Sequence, residues 1–165
     1  MNQKIGIFPG TFDPVTHGHL DIIMRSLSVV DNLIIGVAIN NNKTPIFSAQ
    51  ERAEMIDKEV TAKGLDNRIA VEIFDGLLIN FMKKRNVKLI IRGLRMSSDF
   101  AYEFQMHCVN HKLDNEIETI FLASLEQSQF ISSSFVKEVL SLGGDISKFV
   151  PPEIANRLIN KIQKR

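Results

Sequence analysis

The fold is decided by the stretch Gly10-Thr11-Phe12-Asp13-Pro14-Val15-Thr16-His17-Gly18-His19. The apolar run 5–8 precedes it and apolar residues at helical spacing follow it, which predicts a strand, a tight turn and a helix. In a parallel α/β protein such a first turn lies at the carboxyl edge of the sheet, where backbone N–H groups and a helix N-terminus attract anions. The glycine spacing matches neither the dinucleotide fingerprint nor the P-loop, so the stretch predicts a phosphate-binding turn of another kind.

Length and composition are typical of an ordinary globular protein. The 165 residues, 44% hydrophobic and 24% charged, are enough for one core, so we expect a single domain over 1–165. The net charge of +1 gives no bulk attraction to nucleic acid or to an anionic membrane, and we expect neither as a partner. The single cysteine, Cys108, excludes an intrachain disulfide and is expected to be buried. Without a long apolar run or a signal peptide, the sequence predicts a cytoplasmic protein.

Strand and helix patterns alternate along the whole chain. Apolar runs predict strands at 5–8, 33–39, 69–73, 88–91 and 118–122, with a helix after each and a last helix after Pro151-Pro152. This alternation predicts a doubly wound, five-stranded parallel sheet with right-handed crossovers. Ser98 or Asp99 is expected to cap the helix that ends at Leu113.

Polar segments follow four of the predicted strands. They are the turn 10–19, the loop with Lys43, the run Arg92-Gly93-Leu94-Arg95, and Ser132-Ser133-Ser134 at a helix start. Because carboxyl ends of parallel strands share one edge, these segments are expected to form one site. The site has cations and hydrogen-bond donors but no nucleophile–base pair, which favours charge stabilisation around phosphorus. A phosphate acceptor is largely ionised at pH 7 and requires no general base.

These motifs, in this order, resemble a known family. Gly10 to Pro14 with Thr16-x-Gly18-His19, then Lys43, Arg92 to Arg95 and Ile131 to Ser134 are similar to the nucleotidyltransferase superfamily with the (H/T)-x-G-H signature, most of all to its bacterial phosphopantetheine adenylyltransferase family. The resemblance spans nearly the whole chain and implies a Rossmann-like fold with a C-terminal helix. It implies transfer of AMP from ATP to 4′-phosphopantetheine, giving dephospho-CoA and pyrophosphate, the penultimate step of coenzyme A synthesis. It also implies Mg²⁺, a homohexamer, and CoA as a candidate feedback inhibitor.

The resemblance implies roles for individual residues as well. His19 would stabilise charge on the transferring α-phosphate, Lys43 and Arg92 would hold the acceptor phosphate, and the backbone near Leu78 would meet the pantetheine arm. The implied catalytic residues are His19, Lys43 and Arg95; the acceptor contacts are Thr11, Lys43, Leu78 and Arg92; the ATP contacts are Thr11, Phe12, His19, Gly93, Leu94, Arg95, Glu103, Ser128, Gln129, Phe130, Ile131, Ser132, Ser133 and Ser134. Relatives often have an aromatic residue at the position of Ser128, so the usual basis for adenine stacking is missing and backbone contacts remain.

Simpler interpretations stay open for some of these residues. Glu103 can pair with a nearby lysine or arginine, and His107 and His111 stand four apart on one helix, a metal-like spacing that lacks a third ligand. Two other functions also stay open: a cytidylyl- or nicotinamide-mononucleotide adenylyltransferase, and a nucleotide-binding regulatory module without turnover. Lys43 and the 92–95 segment argue against the first, and the retained His19 argues against the second.

Overall fold

The computed structural model describes residues 3–39, 44–125 and 131–163, and the central element is a parallel sheet. The strands are β1 (Ile5–Gly10), β2 (Asn32–Ile39), β3 (Ile69–Asp75), β4 (Leu89–Leu94) and β5 (Glu118–Ala123). The helices are α1 (His17–Ser26), α2 (Ala49–Ala62), α3 (Leu78–Arg85), α4 (Ser97–Leu113), α5 (Ser133–Ser141) and α6 (Pro152–Gln163). The predicted five-stranded, doubly wound parallel sheet with a C-terminal helix is confirmed.

The strand order β3-β2-β1-β4-β5 creates a switch point beside β1. Ile7 of β1 is in register with Ile34 of β2 on one side and with Ile90 of β4 on the other. The connections after β1 and after β4 therefore leave the sheet in opposite directions and open a crevice between their carboxyl ends. In open α/β sheets this crevice is where ligands bind.

Apolar side chains cover both faces of the sheet. Neighbouring residues alternate between the two layers, so Ile7 and Ile90 belong to one cluster while Phe8 and Ile91 belong to the other. The first layer packs against α3, and the second packs against α1, α2, α5 and α6. Burial on both faces explains why the inner strands are almost continuous apolar runs. None of the helices in the described ranges combines the length and apolar character needed to cross a membrane.

The start of α4 differs from the sequence-based expectation. The N-cap is Met96, and no side chain of the described residues caps the helix, so the expected cap by Ser98 or Asp99 is wrong. The Asp99 carboxylate, which lies in the first turn of the helix, instead accepts hydrogen bonds from the guanidinium of Arg95, 3.0 Å from Nε. Cys108 lies on the solvent side of α4 and is exposed, so its expected burial is also wrong.

Candidate active site

A cleft of about 550 Å³ opens at the carboxyl ends of β1 and β4. Most of the predicted site residues line it, namely Thr11, Phe12, His19, Arg92, Gly93, Arg95, Glu103 and Ile131–Ser134. Leu78 lines a second, adjoining cavity. Leu94, the last residue of β4, lines neither cavity, and its carbonyl accepts a hydrogen bond from the backbone N–H of Ser124. Lys43, Ser128, Gln129 and Phe130 lie outside the described residues.

The imidazole of His19 is held by the residue that caps its own helix. Thr16 is the N-cap of α1, and its backbone N–H donates to Nδ1 of His19 at 3.1 Å. The Thr16 hydroxyl lies 3.0 Å from the same nitrogen. A backbone N–H can only donate, so Nδ1 acts as the acceptor and the proton of the neutral ring is on Nε2. Nε2 is then a hydrogen-bond donor that remains available to a ligand in the cleft.

His19 is also kept uncharged. Burial, followed by the positive charges of Arg95 and Arg92, lowers its pKa from 6.5 to about 4. At pH 7 the side chain is therefore a neutral donor at Nε2 and not an imidazolium. A neutral donor can strengthen its hydrogen bond as negative charge grows on a ligand oxygen, and it has no proton-abstracting role at this nitrogen.

This lowered pKa predicts that the wild-type protein and His19→Gln differ in how their free energy of unfolding depends on pH. Between pH 6.5 and 4 the unfolded chain binds a proton at His19 while the folded chain does not, so acid favours unfolding. The contribution of neutral His19 is complete above pH 6.5 and is lost as the pH falls toward 4. Urea denaturation at pH 7.5 and pH 5 should show the free energy of unfolding of the wild-type protein falling relative to His19→Gln. If the free energy of unfolding of the wild-type protein, measured relative to that of His19→Gln, stays constant or rises in acid, the neutral histidine is contradicted.

Phe12 forms the wall behind His19. It has φ 53°, a left-handed conformation that non-glycine residues rarely adopt, and its side chain is only 2% exposed. Its ring meets the rings of His19 and Phe8 edge to face, with centroids 5.1 and 5.4 Å apart. The unusual backbone conformation therefore directs an aromatic ring inward, where it limits the movement of the imidazole.

Arg92 is oriented by two neighbours at the boundary of the two cavities. Glu103 accepts from Nε at 2.7 Å and from Nη2 at 2.5 Å, while the carbonyl of Pro9 accepts from Nη1 at 2.5 Å. A guanidinium has five N–H donors, and these contacts use three of them, so the described residues leave one N–H on each terminal nitrogen without a partner. The terminal nitrogens of a guanidinium are suited to binding a phosphate or carboxylate.

Arg95 and the start of α5 form the opposite side of the cleft. Arg95 pairs with Asp99 and its Nη1 lies 3.5 Å from the carbonyl of Ile131. The Ser132 hydroxyl caps α5 by accepting from the backbone N–H of Phe135 at 3.1 Å, and the Ser133 hydroxyl donates to the carbonyl of Pro14 at 2.7 Å. The helix N-terminus thus faces the cleft next to a guanidinium, an arrangement suited to an anion.

Three further residues that support the cleft were missed in the sequence. The buried carboxylate of Asp13 accepts from the backbone N–H groups of Ile46 and Phe47, both at 3.0 Å, and from Nζ of Lys137 at 2.8 Å. Arg52 is 2% exposed and donates to four backbone carbonyls. The signal for Lys137 was its i+4 spacing from Ser133, and for Arg52 its place on the apolar face of a predicted helix.

The described part of the cleft contains no ready-made group of metal ligands. Among residues 3–39, 44–125 and 131–163, no group of three or more histidine, cysteine, aspartate or glutamate side chains is arranged to hold a metal ion. His111, one of the two histidines with metal-like spacing, instead has its Nδ1 3.2 Å from the carbonyl of Ile117.

Known proteins are similar to this chain in sequence and in fold. The family model described as cytidylyltransferase-like matches residues 7–139. A protein from Wolbachia pipientis wMel named phosphopantetheine adenylyltransferase is 56% identical over 97% of this chain and 94% of its own length. A protein of the same name from Caulobacter vibrioides (strain NA1000 / CB15N) is 51% identical over 98% of this chain and 99% of its own length. The solved structure of the Plasmodium falciparum nicotinic acid mononucleotide adenylyltransferase, complexed with NaAD, superposes on 99% of this chain and 96% of its own, with a TM-score of 0.71. Its sequence identity is 17%, so this likeness shows the fold alone.

The described residues of this switch-point cleft offer donors and cations but no nucleophile paired with a base, an arrangement that suits a nucleotidyltransferase, an enzyme that stabilises charge while a nucleotidyl group moves between phosphates. The family match begins in β1 and ends in α5, so it includes every element that lines the cleft. The chain belongs to the cytidylyltransferase-like family and, within it, to the phosphopantetheine adenylyltransferases.

Proposed function

We propose that this enzyme transfers AMP from ATP to 4′-phosphopantetheine, giving dephospho-CoA and pyrophosphate. The observation that carries the proposal is the pair of adjoining cavities that share Arg92. The larger cavity, with His19 and Arg95, suits a triphosphate. The smaller cavity, about 180 Å³ and lined by Leu78 and Met106, suits the arm of a phosphorylated acceptor. The names of relatives at 51–56% identity support the same reaction.

The proposed chemistry is a direct displacement at the α-phosphorus of ATP. An oxygen of the acceptor phosphate forms the new P–O bond while the bond between the α-phosphorus and the oxygen that bridges to the β-phosphate breaks. Pyrophosphate leaves with that electron pair. A phosphate monoester is largely a dianion at pH 7, so no proton has to be removed from the nucleophile. The protein's task is therefore to align two anionic reactants and to stabilise the charge that builds up between them.

We assign these tasks to Lys43 and to residues that line the larger cavity, of which Arg92 and Glu103 also line the smaller one. The Nε2–H of His19 donates to an oxygen of the α-phosphate and strengthens as charge grows there. The two remaining N–H groups of Arg92 hold the acceptor phosphate together with Lys43, and Glu103 orients Arg92. Arg95 completes the catalytic set beside the triphosphate.

The remaining ATP contacts in the proposal are Thr11, Phe12, Gly93, Leu94, Glu103 and the segment Ser128–Ser134. Gly93 is required for packing in addition, because a β-carbon there would lie 2.9 Å from the side chain of Ile22 in α1. ATP enters as its Mg²⁺ complex in this proposal, with the ion held mainly by phosphate oxygens and water. CoA carries the same arm as the acceptor and is a candidate competitor for the smaller cavity.

The proposal includes a homohexamer and a cytoplasmic location. Helix α4 carries apolar side chains that are about half exposed, including Phe100, Phe104, Val109 and Leu113, and an exposed apolar surface of this kind is typical of a protein–protein interface. Light scattering is expected to give a particle mass close to six times that of one chain; a monomer mass would contradict the hexamer. The single cysteine supports a reducing compartment such as the cytoplasm.

Pyrophosphate release from the purified protein tests the proposed reaction. With ATP, Mg²⁺ and 4′-phosphopantetheine, we expect one pyrophosphate and one dephospho-CoA per turnover. Nicotinamide mononucleotide with ATP, and phosphocholine with CTP, serve as controls for the two competing transferase activities and should give no release. Release with either control but none with 4′-phosphopantetheine would refute the proposal. Nucleotide binding without release from any pair would favour a regulatory module.

A further inference from the structure

Two parts of the wall of the larger cavity come from segments that are far apart in the sequence. Thr44 and Pro45 line it from the 44–47 segment, which lies between β2 and α2. The start of α5 lines it as well, through Ser132–Ser134 and through Lys137 one helical turn further along. Two anionic substrates have to meet in this cavity in the proposed reaction, so the relative position of the two segments affects how the substrates are aligned.

One buried oxygen atom joins the two segments. Oδ2 of Asp13 accepts from the backbone N–H of Ile46 at 3.0 Å and from Nζ of Lys137 at 2.8 Å. The other oxygen, Oδ1, accepts from the backbone N–H of Phe47 at 3.0 Å. Asp13 is only 4% exposed, and hydrogen bonds to a carboxylate are stronger than those between neutral groups. The three donors therefore hold this carboxylate firmly, and Oδ2 is the atom that contacts both segments.

The turn that carries Asp13 also supports α5 at a second point. The hydroxyl of Ser133 donates to the carbonyl of Pro14, the residue after Asp13, at 2.7 Å. Helix α5 is therefore attached to this turn by Ser133 at its start and by Lys137 one turn later. The turn thus serves as a common base for both segments of the cavity wall.

We infer that Asp13 is a positioning residue for the transfer, because its Oδ2 fixes the separation between the 44–47 segment and the start of α5. The inference rests on the proposed function. The oxygens of Asp13 accept from three donors of the protein, so Asp13 acts through these partners and not on the reacting atoms. A misplacement of about 1 Å between two bound reactants costs on the order of a hundredfold in rate. Loss of the link should therefore lower kcat while the binding of each single substrate changes little.

Variants of Lys137 test the link from its partly exposed side. Lys137→Met keeps most of the side chain but removes the ammonium group, and we expect kcat to fall about tenfold with both KM values within a factor of three. Lys137→Arg keeps a cation within reach of Asp13 and should recover most of the lost kcat. Lys58→Met is the matched control, because Lys58 also pairs with a carboxylate at 2.8 Å, that of Glu153, but lines neither cavity. Its kcat should equal that of the wild-type protein.

Asp13→Asn removes the link from its buried side. An amide has one accepting oxygen, so it cannot serve the donors at both oxygen positions, and kcat should fall at least as far as in Lys137→Met. If both residues act through one link, the double variant Asp13→Asn/Lys137→Met should have no lower kcat than Asp13→Asn alone. Rates are measured at a temperature at which circular dichroism shows each variant folded. If Asp13→Asn does not fold, the Lys137 variants alone decide.

Three results would each overturn the inference. They are a kcat for Lys137→Met within twofold of the wild-type value, losses of kcat that multiply in the double variant, and a raised KM for ATP in Lys137→Met at unchanged kcat. The last result would make Lys137 a direct contact of ATP. If the wild-type protein fails to use 4′-phosphopantetheine, the proposed function fails first; if it uses this acceptor and the variants behave like it, only this inference fails.

Discussion

Replacing His19 with alanine is expected to lower kcat by about a hundredfold or more while KM for ATP changes by less than about threefold. The imidazole is neutral at pH 7, its Nδ1 is occupied by Thr16, and Nε2–H is the donor that remains. A neutral donor binds the ground-state phosphate only moderately and binds it more strongly as the displaced charge grows. Its loss should therefore appear in kcat and not in substrate binding.

Two further variants make this prediction sharper. His19→Gln keeps an N–H donor close to the position of Nε2, so its kcat should lie between those of the wild-type protein and His19→Ala. His17→Ala removes the neighbouring exposed histidine and is expected to have nearly normal kinetics. Steady-state kinetics at saturating ATP and 4′-phosphopantetheine measure all three. A kcat for His19→Ala within a few fold of the wild-type value would refute the transition-state role.

Replacing Arg52 with methionine is expected to lower the free energy of unfolding by about 3 kcal/mol, the largest stability effect we anticipate. Its guanidinium donates to the carbonyls of Ala38 at 3.0 Å and Phe47 at 3.2 Å, and also to those of Ser48 and Thr11. Burial lowers the pKa of Arg52, while the nearby charge of Asp13 opposes that shift. Methionine fills much of the volume but leaves these buried acceptors without their donor.

The same substitution should also weaken substrate binding. Arg52 links the turn at Thr11 to the end of β2 and to the segment that follows it, so the edge of the cleft loses a common anchor. Arg68→Met is the matched control, because Arg68 also donates to three carbonyls, those of Leu27, Val30 and Asp31, but lies partly exposed at the opposite edge of the sheet. We expect it to cost about 1 kcal/mol without a change in KM. Urea denaturation and steady-state kinetics compare the two; equal losses of stability would refute the special importance of Arg52.

Local sequence patterns were sufficient for most of the fold. Alternating strand and helix patterns act within a few residues, and in the serine-rich segment Ser132 caps α5 as its residue type predicts. The start of α4 was mispredicted because the helix begins earlier than its residue types suggest: Asp99 has the residue type of a cap, but it lies in the first turn, where its carboxylate binds Arg95. The sequence also left Glu103 with two roles, and the bidentate pair with Arg92 depends on how α4 crosses β4, which no local pattern specifies.

The sequence by itself determined the parallel sheet, the edge at which its polar segments meet and the family, because hydrophobic periodicity and short motifs are properties of neighbouring residues. Only the tertiary structure decided the state of each functional group. The tautomer of His19 and the orientation of Arg92 depend on distances of about 3 Å between atoms. Hydrogen bonding and desolvation act over such distances. The contacts that set these states come from packing between separate helices and strands and, for His19, from the geometry of a single helix turn.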